Sequence, residues 1–230
     1  MSSPAQQDVY GFNTRPDVVP SIPVHARSAL DVGCSEGGFG RTLRQVLGPD
    51  AHLVGVDAVP ANVAAARANI DFDEVVEGYF PDAMAGRPET FDIVSFNDVL
   101  EHIVDPWATL EAVKGWLSPS GVVLAAIPNV QWLPVVIGLV MGRWDYEETG
   151  ILDRTHVRFF TRKTIMDMFA GCGYEVLECR GANDVSEYFA SDPVRWRRSI
   201  KQFAGRLSGD RRYMHFIVVA RPVIAGPSPR

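Results

Sequence analysis

Short apolar runs alternate with amphipathic stretches through the first half of the chain, the rhythm of parallel strands joined by helices. Residues 28–32 form the first such run, and the helical pattern at 37–47 stops at Gly48 and Pro49. A second strand is predicted at 53–57, followed by an alanine-rich helix that Pro60 opens and that reaches about residue 70. Residues 74–77 read as a short third strand. Residues 91–96, apolar without alternation, read as a fourth strand buried on both faces. Asp105 and Pro106 start a helix that runs to 117, Ser118 to Gly121 turn the chain, and 122–127 make a fifth strand. After Pro128 the rhythm breaks: roughly thirty residues without a strand signal precede a helix at 161–170, the length of a lid or binding segment. Gly171 and Gly173 end that helix, and strands follow at 174–179 and 214–220 with a second excursion, 183–212, between them.

The turn after the first strand is the most informative local feature. Residues 30–40, Leu-Asp-Val-Gly-Cys-Ser-Glu-Gly-Gly-Phe-Gly, break from a buried strand into a glycine-rich loop that opens a helix. Glycine lets the backbone approach a bound group without a Cβ in the way, and the helix start offers unpaired N–H groups. A dinucleotide-binding turn needs G-x-G-x-x-G, whereas Gly33 and Gly37 stand four apart with Ser35 between them, so that class is disfavoured. The second strand ends in Asp57, and a carboxylate one strand–helix unit after a glycine loop suits the two hydroxyls of a ribose. The alternative is a solvated turn aspartate.

Composition narrows the classes. A chain of 230 residues suits one domain with insertions, and a formal charge of −6 disfavours a general nucleic-acid scaffold. Three cysteines without paired spacing suggest a reducing compartment and no disulfide framework. The first residues lack the basic and apolar regions of a secretory signal, so the cytoplasm is the expected location. The most apolar stretch, 132–141, is too short to span a bilayer and contains Pro134 and Gly138. It could touch a lipid-linked acceptor peripherally, form a homodimer contact, or serve as a buried cap helix.

Two longer motifs carry a resemblance. Residues 91–106, Phe-Asp-Ile-Val-Ser-Phe-Asn-Asp-Val-Leu-Glu-His-Ile-Val-Asp-Pro, and the loop Asp31, Gly33, Ser35, Gly37 resemble the corresponding motifs of class I S-adenosylmethionine-dependent methyltransferases, with serine at the middle glycine. Residues 142–161, Gly-Arg-Trp-Asp-Tyr-Glu-Glu-Thr-Gly-Ile-Leu-Asp-Arg-Thr-His-Val-Arg-Phe-Phe-Thr, resemble a segment of bacterial methyltransferases associated with surface-polysaccharide and glycosyl-transfer pathways. The resemblance implies a Rossmann-like fold over 1–222: a seven-stranded mixed sheet with helices on both faces, a cap at 1–27, acceptor-lid insertions at 129–160 and 183–212, and a flexible tail at 223–230. It implies S-adenosylmethionine as cofactor, held by Gly33, Cys34, Ser35, Gly37, Asp57, Ala58, Asn97 and Asp98. A Tyr-x-x-x-x-Arg-Pro segment folds over the cofactor in that subfamily, which adds Tyr10 and Arg15.

For the acceptor side, Trp144, Tyr146, Asp153, Arg154 and Arg158 supply aromatics and charges suited to a hydroxylated or anionic ligand. His156 is read as the general base, able to take a hydroxyl proton near neutral pH, and His102 as the second catalytic position. The alternative for His156 is a loop pin bonded to backbone, with Asp153 paired to Arg154 or Arg158. Asp98, Glu101 and His102 raise the question of a metal, but no further ligand is in view, so none is expected. His25, His52 and His215 lie near strands and read as structural. Arg195, Arg197, Arg198, Lys201, Arg206, Arg211 and Arg212 read first as a solvated face and second as a phosphate-attracting cluster. The expected function is O-methylation of a sugar hydroxyl in glycan or glycosylated-metabolite assembly. The rivals are N- or O-methylation of a non-sugar metabolite and a silent cofactor-binding partner in a glycosyl-transfer complex.

Overall fold

The computed structural model describes residues 11–190 and 208–223. Tyr10, the cluster from Arg195 to Arg206 and the tail from 224 lie outside them. Seven strands form one sheet in the order β3-β2-β1-β4-β5-β7-β6. They are β1 (Ser28–Val32), β2 (His52–Asp57), β3 (Glu74–Glu77), β4 (Phe91–Asn97), β5 (Leu117–Pro128), β6 (Tyr174–Asp184) and β7 (Tyr213–Pro222). The first five pair in parallel, and β7 runs antiparallel to both β5 and β6. This is the expected seven-stranded mixed sheet.

Helices cover both faces. They are α1 (Gly38–Leu47), α2 (Pro60–Ala68), α3 (Pro106–Val113), α4 (Leu133–Val140), α5 (Arg162–Gly171) and α6 (Val185–Ala190). One layer of core packs Leu30, Val54, Phe96, Leu110, Ile165 and Phe169; the other packs Ala29, Phe39, Leu43, Leu53, Ile93 and Leu124. Alternate residues of β1 and β4 therefore point into opposite layers, which is why their sequences read as unbroken apolar runs. The starts of α3 and α5 are chemically fixed. Asp105 accepts from the Ala108 amide at 3.0 Å ahead of Pro106, and Thr161 and Thr164 close a reciprocal capping box.

Several elements differ from expectation, among them the helix expected to reach 117, which ends at Val113. The Ser118–Gly121 turn is absorbed into β5, whose register shifts between Phe91 and Ile93. An added Cβ at Gly121 would lie 2.7 Å from the Phe91 carbonyl, so the irregularity needs glycine there. β6 continues past Cys179 to Asp184, because β7 keeps pairing with it as far as Tyr213. The apolar stretch after Trp132 forms α4, which has no buried residue, so the buried-cap alternative does not hold for it. Among the described residues no helix is long and apolar enough to cross a membrane.

Strand order reverses beside β1, whose neighbours are β2 on one side and β4 on the other, and the loops at their carboxyl ends flank a crevice. The segment 11–15 closes this crevice by lying across the start of α1. Thr42 Oγ1 donates to the Thr14 carbonyl at 2.6 Å, and Ser35 Oγ donates to the Gly11 carbonyl at 3.2 Å. The approach is close enough that a Cβ at Gly38 would sit 2.4 Å from the Asn13 carbonyl oxygen. Gly38→Ala is therefore expected to destabilise the fold by about 1–3 kcal/mol through overpacking, measured by thermal or urea unfolding. Gly115→Ala, where an added Cβ meets nothing within 4 Å, should stay close to wild type.

Candidate active site

A cavity of about 490 Å³ occupies the crevice, with walls that include Gly33, Ser35, Asp57, Asn97, Asp98 and His102. Gly33, Ser35 and Gly37 all have left-handed φ, at 72°, 48° and 90°. That conformation turns the chain sharply from β1 into α1 and brings backbone, rather than side chain, to the cavity. A Cβ at Gly33 would meet Val99 Cγ2 at 2.6 Å, so this position admits only glycine.

Asp57 is buried and locked in orientation. Its Oδ2 accepts from the Ser35 amide at 2.9 Å and its Oδ1 from the Val59 amide at 2.8 Å. Asn62 Nδ2 also donates to Oδ1, at 3.5 Å, so Oδ2 is the oxygen that keeps acceptor capacity for a ligand hydroxyl. Asn97 ends β4 with both amide atoms buried and without a partner. A buried amide left unpaired costs free energy, so its place on the cavity wall points to a polar ligand that both donates and accepts. These features fit a nucleoside bearing an amino-acid arm. Cys34, Ala58, Gly78 and Tyr79 also line the cavity, although Tyr79 stands where the resembling family places an acid.

Arg15 sits at the edge of the cavity with a left-handed φ of 49° and is buried. Its guanidinium donates to both oxygens of Asp17, at 3.0 and 2.8 Å, and to Asp98 Oδ2. His215 Nε2 on β7 lies 3.2 Å from Asp98 Oδ1, so a histidine read as structural stands at the site. Burial alone would raise the Asp98 carboxyl, but His215 and Arg15 outweigh it and hold the group down at about 2. Burial would likewise lower Arg15, yet Asp98 and Asp17 hold its proton more firmly than usual.

A second group of polar side chains stands beside this one. The turn after β4 carries Glu101 and His102, and the insertion between β5 and α5 carries Asp153, Thr155 and His156. The two segments are tied by the Val157 and Arg158 amides, which donate to the Glu101 carbonyl at 2.9 and 3.0 Å. His102 and His156 meet edge to face with ring centroids 4.6 Å apart. The His156 Nδ1 lies 3.0 Å from the Ile151 carbonyl, which can only accept, so Nδ1 carries the proton and Nε2 the lone pair. The same reasoning fixes His102. Thr155 Oγ1 donates to Asp153 Oδ1 at 2.6 Å and so accepts from His102 Nδ1 at 3.0 Å. Burial pushes both imidazoles below their ordinary range, and burial, with Asp98 nearby, pushes the Glu101 carboxyl well above its own.

The loop-pinning bond weighed for His156 is thus present, whereas the pairing weighed for Asp153 is replaced by its bonds to Thr155. Arg154 pairs with Glu148 at 2.7 Å and Arg158 donates to the Val104 carbonyl at 2.9 Å. Trp144 packs edge to face on Phe159, and Tyr146 is exposed. Behind the insertion lies a larger cavity of about 870 Å³, whose walls include Trp132, Ile137, Arg143, Tyr188 and Met214. Ile151 lines this cavity and Thr155 lines the first, so the His156 loop is the partition between them.

The methyltransferase domain family matches residues 17–179, which spans the glycine turn, the β4 motif and the partition loop. The chain belongs to that family. A ubiquinone biosynthesis O-methyltransferase from Cereibacter sphaeroides is 24% identical over 187 residues, covering 80% of this chain and 72% of the relative. A protein of the same name from Dinoroseobacter shibae is 31% identical over 170 residues, covering 72% of this chain and 66% of its own. The fold matches a SAM-dependent methyltransferase from Archaeoglobus fulgidus with a TM-score of 0.65 at 15% identity, covering 95% and 94% of the two chains.

One site residue gives a pH signature. Asp31 on β1 is fully enclosed, accepts from Ser95 Oγ at 2.7 Å, and is raised by burial from the usual 3.8 to about 7. Between those values the folded chain holds a proton that the unfolded chain has lost, so folding stability falls as pH rises from 4 to 7. Asp31→Asn, which keeps an oxygen for Ser95, should flatten that fall in urea unfolding measured across the range. An unchanged pH slope would remove Asp31 as its source.

Proposed function

We propose that this chain transfers the methyl group of S-adenosylmethionine to the oxygen of a small hydroxylated acceptor. The observation that carries the oxygen reading is the Glu101, His102 and His156 group, which abuts the cofactor cavity through His102. A hydroxyl is a weak nucleophile until its proton is drawn off, and this group concentrates electron-pair donors where the reacting oxygen would stand. An amine acceptor would need no such device. The names of the relatives also speak for oxygen and for a small metabolite. A sugar hydroxyl rests on the resemblance of residues 142–161 alone.

The residues divide the work. Asp57, fixed by the Ser35 and Val59 amides, receives the ribose hydroxyls; Gly33 and Ser35 bring backbone against the nucleoside; Asn97 takes polar atoms of the amino-acid arm. Arg15 remains bound to Asp17 and Asp98, and its part is to hold the segment 11–15 over the ligand. When bound, the cofactor supplies a methyl already activated on a sulfonium, so the chain contributes mainly by orienting the reactants and excluding water. The partition loop brings His156 and Thr155 to the acceptor side, and the larger cavity behind it has room for the acceptor's body.

Product formation from labelled S-adenosylmethionine, measured across phenols, sugar nucleotides and amines, tests this reading. Methylation is expected on hydroxylated acceptors. His102→Ala should lower kcat by roughly 10²–10⁴-fold with S-adenosylhomocysteine affinity unchanged, and Asp57→Ala should weaken that affinity by about 1–3 kcal/mol. Transfer to amines alone, or a His102→Ala enzyme within a few-fold of wild type, would overturn the oxygen assignment.

A further inference from the structure

We propose that His215 and Asn183 are positioning residues of the methyl-transfer site: His215, as its Nε2–H tautomer, and the Asn183 amide close a circuit of polar contacts that aims Asp98 and Arg15 at the cofactor cavity. The role rests on the methyl-transfer reading, whereas the circuit stands on geometry. Its first half is the clasp of Arg15 on Asp17 and Asp98. The second half returns through the antiparallel edge of the sheet. Asn183 Nδ2 donates to Asp17 Oδ2 at 3.2 Å and to His215 Nδ1 at 3.1 Å, and His215 Nε2 faces Asp98 Oδ1 at 3.2 Å.

The proton positions follow from the acids. A carboxylate can only accept, so the atom of the Asn183 amide that faces Asp17 is the nitrogen, and its second N–H is left for His215. His215 Nδ1 therefore accepts, which puts the imidazole proton on Nε2, toward Asp98. Asp98 Oδ1 is buried and has no well-aligned hydrogen bond, so the imidazole N–H beside it is what answers it. Without that group one carboxylate oxygen would stand enclosed and unmet, a cost large enough to reorient a side chain. An Asp98 turned to offer both oxygens to Arg15 would draw the guanidinium off Asp17, and the segment 11–15 with it.

Strained backbone collects in the same place. Among the described residues the non-glycine positions with left-handed φ are Arg15, Ser35, Asp98 and Asn183, and all but Ser35 belong to the circuit. Such backbone persists only where its surroundings over-determine it, and it clusters at ligand clamps. His215 supplies the rigid point, since it lies within β7, opposite Pro128 of β5 on one side and Ala182 of β6 on the other. The continuation of β6 past Cys179 brings Asn183 into reach, and Arg180 adds a second tie by donating to the Asp17 carbonyl at 2.8 Å. Asn183 lines the larger cavity and Asp98 the first, so the circuit joins the wall proposed for the acceptor to the roof over the cofactor.

Proton–nitrogen correlation spectra of the histidine side chains, recorded on the full chain at neutral pH without ligand, test the circuit, and calorimetry of S-adenosylhomocysteine tests the positioning. His215, assigned by the signals lost in His215→Gln, is expected to show a protonated Nε2 and an unprotonated Nδ1. Asn183→Gly keeps the left-handed backbone and removes the amide, so the preference for Nε2–H should give way to a mixture of tautomers. His215→Leu should weaken S-adenosylhomocysteine binding by roughly tenfold, and His215→Gln, whose amide both donates and accepts over a similar reach, should recover most of the affinity. Where circular dichroism shows that His215→Leu has not folded, Asn183→Gly takes its place in the calorimetry and should itself bind more weakly than wild type. An Nδ1–H tautomer or an imidazolium in the wild type, or wild-type affinity in the folded variant, would overturn the proposal and leave the methyl-transfer reading standing. The expected tautomer in a wild type that binds no S-adenosylhomocysteine would remove that reading and, with it, the positioning role.

Discussion

The guanidinium of Arg15, buried between the carboxylates of Asp17 and Asp98, is the interaction on which the site depends. It joins a segment that precedes the sheet to the carboxyl end of the central strand β4, and through Asp98 it reaches His215 on β7. Taking such charges out of water is expensive, and removing one partner of a buried pair leaves the other uncompensated. The cluster is therefore held as a unit: Asp98 stays ionised and Arg15 stays charged because each answers the other. The left-handed backbone at both residues is the conformational cost of aiming them together.

The consequence is a crevice with a roof. Reversal of strand order beside β1 opens a gap that many α/β sheets share, but a gap alone does not define a ligand. The segment 11–15, fastened by Arg15 and by its bonds to Ser35 and Thr42, encloses the gap and leaves Asn97 with an unpaired amide inside. On the far side the partition loop carries His156 against His102. The cavity proposed for the nucleoside and the group proposed to activate an acceptor thus share one wall, the turn that follows β4.

Much of this was legible in the sequence, for a physical reason. Strands of a parallel sheet are buried on both faces, so β1, β2 and β4 appear as continuous apolar runs, and a glycine turn with an acid at the next strand end announces a nucleoside site. What was not legible depends on paths between distant segments. The length of β6 hides because its polar end, Arg180 to Asp184, is ordered by pairing with β7 rather than by burial. His215 reads as an ordinary strand residue, and nothing near it in the chain mentions Asp98. Glu101 and His156 become neighbours only because the insertion after β5 folds back and donates two amides to the Glu101 carbonyl.

The most direct measurement is the affinity of Arg15→Met for S-adenosylhomocysteine by calorimetry, at a temperature where the variant remains folded. If the buried cluster builds the pocket, affinity should fall by about tenfold or more, and amide exchange in residues 11–15 should quicken relative to wild type. Wild-type affinity in the folded variant would contradict the account, since the cofactor cavity would then form without the interaction said to enclose it.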